Sequence, residues 1–118
     1  MNKQFFHYLK DSSKGGKTFC VELPDSTEFG LMILNNIVNN DPIKLKIGIA
    51  KCSDKDYYIK KLGRELSSNR LKDEDFDLIK VTKNLNKSLV VLYNNNLHTE
   101  LAFQLNAKSQ KVWLLYAD

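Results

Sequence analysis

Cysteine, proline, histidine and tryptophan are all scarce in this chain: two cysteines, two prolines, two histidines and one tryptophan among 118 residues. The scarcity of cysteine and of histidine each removes a class of protein. Two thiols, Cys20 and Cys52, cannot form a disulfide framework, and their wide separation lacks the short paired spacing of a zinc site. His7 and His98 are farther apart still, so neither a metal nor another cofactor is expected. No run approaches the ~18 apolar residues of a membrane span. The opening Met1-Asn2-Lys3-Gln4-Phe5 also lacks the continuous apolar segment of a signal peptide. These absences lead us to expect a cytoplasmic protein with reduced thiols and no membrane contact.

The composition is that of a folded chain, 42% hydrophobic and 27% charged, at a length suited to a single domain over 1–118. The net charge of +4 is unevenly placed. Residues 1–43 carry four Lys/Arg against five Asp/Glu, residues 44–72 nine against three, and residues 73–118 five against six. The whole positive excess therefore falls in one short segment, which points to a localised electrostatic surface.

Hydrophobic periodicity outlines the elements. Phe5 to Leu9 and Thr18 to Leu23 read as strands joined through Gly15-Gly16, and Lys44 to Lys51 alternates as a half-buried strand. Residues 26–40 are ambiguous. Asp25 with Glu28 has the form of a helix-capping pair, yet the apolar residues point all round a helical axis, which favours a strand buried on both faces. Ser53 and Asp56 read as the cap of a helix over 54–71, whose Tyr58, Ile59, Leu62 and Leu66 form a core-facing stripe opposite Lys60, Lys61 and Arg64. Gly63 within that helix implies close packing by a neighbour. Asp73-Glu74-Asp75 reads as a solvated turn. Strands follow at 76–81, 89–93, 97–105 and 112–117, with turns at Asn94-Asn95-Asn96 and at 106–111. The expected class is α+β: a mostly antiparallel sheet of five to seven strands, an amphipathic helix at about 54–71, and a second helix at 26–39 if capping prevails.

Enzymatic chemistry finds little footing. Gly16-Lys17-Thr18 matches the end of a phosphate-binding loop, but Asp11 stands where the first glycine belongs, and a hairpin turn accounts for the glycines. Cys52, flanked by Lys51 and Lys55 ahead of the expected helix, is placed like an activated thiol. A nucleophile needs a base, however, and nothing in the sequence brings His7 or His98 to it. A cysteine closing a strand is the preferred reading. His98, beside Glu100, reads as a solvent-facing strand residue.

The basic segment remains. Lys51, Lys55, Lys60, Lys61, Arg64 and Arg70 are spaced to neutralise backbone phosphates, and Tyr57 to stack on a base. The same residues also suit an acidic protein surface, or a plain solvated face. The stretch Ala50-Lys51-Cys52-Ser53-Asp54-Lys55-Asp56-Tyr57-Tyr58, followed by Lys60-Lys61-Leu62-Gly63-Arg64 and Arg70-Leu71, resembles a pattern in small bacteriophage proteins. The resemblance implies a phage product acting in an infected bacterium, where such proteins bind a host protein or nucleic acid. The expectation is thus a non-enzymatic binding protein using a basic helix face on nucleic acid, or alternatively on a host protein.

Overall fold

The computed structural model describes residues 2–84, 87–106 and 112–117. Its elements in chain order are β1 (Lys3–Lys10), β2 (Lys14–Leu23), α1 (Ser26–Asn39), β3 (Ile43–Tyr57), α2 (Lys60–Asn69), β4 (Lys72–Asn84), β5 (Lys87–Asn94), β6 (Thr99–Asn106) and β7 (Val112–Ala117). Among the described residues the seven strands form one sheet in sequential order, every neighbouring pair antiparallel. This is the expected α+β class. Residues 107–111 of the expected 106–111 turn lie outside the described residues, and Asn106 belongs to β6.

Strand alternation sorts the side chains onto two faces. Phe19, Val21 and Leu23 of β2, Ile43, Leu45 and Ile47 of β3, Phe76 of β4, Val90 and Leu92 of β5, and Leu101 and Phe103 of β6 all join one core. Phe29 and Ile33 of α1 complete it, with the Phe29 and Phe103 rings meeting edge to face at 5.9 Å. Truncating any one of these buried phenylalanines costs about 3–5 kcal/mol. The opposite face carries Thr18, Cys20, Gly48 and Ala50, and there α2 lies.

Residues 26–39 are helix, which corrects the strand reading, and the termini explain why. Asp25 accepts a 2.9 Å hydrogen bond from the Glu28 N–H, while Asn40 ends the helix at φ 58° and donates to the Asn36 carbonyl. The apolar residues point all round because α1 has two apolar faces. One is buried, whereas Leu31, Leu34, Ile37 and Val38 are exposed.

The helix expected from 54 begins only at Lys60. The Ser53 hydroxyl accepts from the Lys55 N–H within a local turn, and β3 runs on until Tyr57 pairs with Lys14. Between the Gly16–Cys52 and Lys14–Tyr57 partners, residues 53–56 stand opposite Gly15 alone, a bulge that throws this end of β3 outward. The cap residue is Ile59, and no side chain caps the helix.

Two further readings change. Asp73, Glu74 and Asp75 lie in β4 rather than in a turn, paired with Lys46, Leu45 and Lys44 of β3. His98 precedes β6 in a tight turn at φ 50°, with its Nδ1 3.5 Å from the Tyr93 hydroxyl.

Helix α2 is seated through small residues. A Cβ on Gly63 would strike the Thr18 side chain, and one on Gly48 would strike the Ser67 backbone carbonyl. Neither partner at the second contact is a flexible side-chain end. Gly48→Ala is therefore expected to cost upward of about 2 kcal/mol in urea denaturation. Unchanged stability would mean that α2 does not rest on β3.

Candidate binding cleft

Contact through Gly63 and Ser67 fixes which flanks of α2 are covered. The β1 flank carries polar contacts. Arg64 Nη1 donates to the Tyr8 hydroxyl at 3.3 Å, the Lys60 ammonium lies 4.9 Å from the Tyr8 ring centroid, and the Ser68 hydroxyl donates to Gln4 Oε1 at 3.1 Å. The opposite flank presents Ile59, Leu62 and Leu66, which are 56%, 50% and 36% exposed. The expected orientation is thus inverted. The stripe expected to face the core is largely solvent-facing, while two of its supposed outward cations reach across to β1. Tyr58 alone turns inward, its hydroxyl donating to the Lys17 carbonyl at 2.9 Å and sharing a 2.6 Å hydrogen bond with the Thr18 hydroxyl.

The exposed flank forms one wall of a cleft of about 430 Å³. Ala50 and Cys52 of β3 lie along it, and the outward-thrown end of the strand, with Tyr57 and Tyr58, closes it. Cys52 serves that closure, because its thiol donates to the carbonyls of Asp56 and Tyr57 at 3.4 and 3.5 Å. It stands eight residues before the first helical residue, away from any helix N-terminus. By strand alternation it faces the α2 side, whereas His7 lies on the core side against Phe19. Cys52 and His7 are therefore on opposite faces of the sheet. Cys20 is fully buried, and burial, with Glu22 nearby, pushes its thiol up to about 11.

The edge of β3 beside the cleft is open. Its pairing with β4 ends at Ile47, while its pairing with β2 continues to Cys52. Among the described residues no strand lies on the far side of residues 48–52. Arg70 Nη1 donates to the Ile49 carbonyl at 3.3 Å, so Ile49 points its backbone away from β2. By the two-residue alternation of an antiparallel ladder, Lys51 does the same. A second hollow of about 380 Å³, lined by Ile47, Ile49, Arg70, Lys72, Glu74 and Leu97, lies along the same edge.

Of the six cations and the tyrosine singled out in the sequence, four are engaged within the chain. Lys60 and Arg64 are engaged at Tyr8, Arg70 at Ile49, and the 69%-exposed Tyr57 holds the Lys14 ammonium 5.0 Å from its ring centroid. Lys51, Lys55 and Lys61 are exposed. Sequence reasoning missed the open edge, since only the end of the β4 pairing reveals it. It also missed Ala50, Leu62 and Leu66 as site residues, although Gly63 and Ser67 at helical spacing signalled the true contact face. The described residues include no group of three metal-ligating side chains, and no helix long and apolar enough to cross a membrane.

Comparison with protein-family models, curated proteins and solved structures finds no match to this chain.

His7 supplies a pH test of the fold beneath the site. Its buried Nε2 has no hydrogen-bond partner among the described residues, and burial holds the imidazole below its ordinary value of 6.5. The unfolded chain therefore binds more protons between the two values. The stability contributed by neutral His7 is complete above about pH 6.5 and is lost as pH falls through that window. His7→Leu should remove this slope from denaturation midpoints measured across pH 5 to 8. A slope unchanged in the variant would assign it elsewhere.

Proposed function

We propose that this chain is a non-enzymatic binding protein that receives an extended segment of another protein against the open edge of β3. The observation carrying this reading is the coincidence of that edge with two hollows. Side chains of an added strand alternate between faces, so successive residues would enter the α2 cleft and the Ile47–Ile49–Leu97 hollow in turn. Main-chain hydrogen bonds to Ile49 and Lys51 supply affinity, and the hollows supply selectivity. Binding displaces Arg70 from the Ile49 carbonyl and frees its guanidinium for an acidic side chain.

The surrounding charge favours a segment mixing apolar and acidic residues. Lys51, Arg70 and Lys72 line the edge and its hollows, against Asp56 and Glu74, and Lys55 and Lys61 are exposed. On the bacteriophage resemblance of residues 50–71, the partner is a host protein. Nucleic acid is the second reading, favoured by the exposed Lys51, Lys55 and Lys61 with Tyr57 beside them.

Selection from a display library of ten-residue peptides separates the two. Alternating apolar and acidic sequences should be enriched. Leu62→Asp should weaken the selected peptide about 10- to 100-fold by placing a carboxylate in the cleft, with folding intact because Leu62 is half exposed. If that variant binds normally, while joint replacement of Lys51, Lys55 and Lys61 by glutamate abolishes salt-sensitive retention of single-stranded oligonucleotides, the nucleic-acid reading replaces this one.

A further inference from the structure

Strand register gives the lysines of β3 different neighbours. Lys44 stands opposite Asp75 of β4, and Lys46 stands between Glu22 of β2 and Asp73 of β4. Each of these two ammonium groups reaches a carboxylate on a neighbouring strand. Lys51 departs from the pattern. Its neighbour on β2 is Lys17, and on its other side the pairing with β4 has already ended, at Ile47. Residues directly opposite each other share a face, so two exposed cations lie side by side, an arrangement that destabilises an antiparallel pair. Both line one hollow of about 240 Å³, to which Asp11 also contributes, two cations to one carboxylate.

A lysine on an open edge discourages unwanted strand pairing. That role does not extend to Lys17, whose own strand is paired on both sides. What the row from Lys17 to Lys51 lacks is the acid that Lys44 and Lys46 receive from β4. The place for it is on the line β4 would follow had its pairing with β3 continued. The adjacent position is set by Ala50, which is buried on the α2 face and too short to fill the cleft beside Leu62 and Leu66. A residue opposite Ala50 points into that cleft, and its neighbour opposite Lys51 points to the other face.

Resting on the strand-addition reading above, we infer that Lys51 is a specificity-determining residue. It selects a segment carrying Asp or Glu directly beside the apolar residue that enters the α2 cleft. The carboxylate completes the row after Lys17 and Lys51 and offsets the repulsion between them. Lys17 acts from one strand away. It touches nothing in the segment, but as a like charge it leaves Lys51 without an acid inside the chain. The other neighbour of the apolar residue faces Ile49 and is not set by Lys51.

Parallel display selections on the wild-type chain and on Lys51→Glu test the assignment. Against the wild type, one neighbour of the apolar residue whose binding is sensitive to Leu62→Asp should be Asp or Glu. Against Lys51→Glu, that neighbour alone should change to Lys or Arg, with the apolar residue and its other neighbour retained. The peptide selected on the wild type should bind Lys51→Glu about tenfold more weakly. Lys17→Glu, which supplies Lys51 with an acid from within the chain, should weaken the same peptide about fivefold, and both losses should shrink in about 0.5 M salt. Both lysines are exposed, so the circular dichroism of each variant should match the wild type. Peptides that lose binding on Leu62→Asp yet keep their acid against Lys51→Glu, or that bind Lys17→Glu as tightly as the wild type, would overturn the role of Lys51 and leave the edge reading standing. The absence of any enriched peptide would overturn both.

Discussion

The seating of α2 on the sheet through Gly63 and Ser67 is the constraint on which the rest of the surface depends. Because these two small residues meet Thr18 and Gly48 directly, the helix lies close over β2 and β3 and its rotation about its own axis is fixed. Lys60, Arg64 and Ser68 are then carried over β1, where Tyr8 and Gln4 receive them. Ile59, Leu62 and Leu66 are carried to the other side. A helix seated on its leucines would stand farther from the sheet, and no cleft would remain beside β3. The apolar flank is thus left to solvent by a contact favouring close approach over burial of hydrocarbon.

Charge in space differs from charge along the chain. Residues 44–72 hold the positive excess in sequence, but Lys44 lies 3.9 Å from Asp75 and Lys46 lies 3.8 Å from Glu22, both pairs arising from strand register. These exposed or partly exposed pairs add little stability. Their consequence is that Lys44 and Lys46 are paired within the sheet, while Lys51 of the same strand is exposed beside the open edge.

Local signals carried most of the fold. The alternation from Thr99 to Leu105 and the apolar run from Leu89 to Tyr93 each mark a strand without help from distant residues, whereas Gly15 and Gly16, read as the joining turn, lie inside β2. The Asp25–Glu28 pair likewise marked a helix start that the all-round apolar pattern obscured. Two features were not legible for physical reasons. Ser53 and Asp56 satisfy the pattern of a helix cap, but the same hydroxyl serves a turn when Tyr57 finds a partner forty-three residues earlier in Lys14. An amphipathic pattern also says that the two sides of a helix differ, without saying which is buried. Here the glycine decided, and its requirement for a close neighbour was readable even though the neighbour's side was not.

The central claim is that residues 48–52 of β3 have one paired side and one open side. Native-state amide hydrogen exchange reads this directly. The N–H groups of Gly48, Ala50 and Cys52, turned toward β2, should exchange slowly, while that of Lys51 and, beside it, that of Ile49 should exchange orders of magnitude faster. Equal protection along all five residues would contradict the account, because it would mean that the edge is already covered.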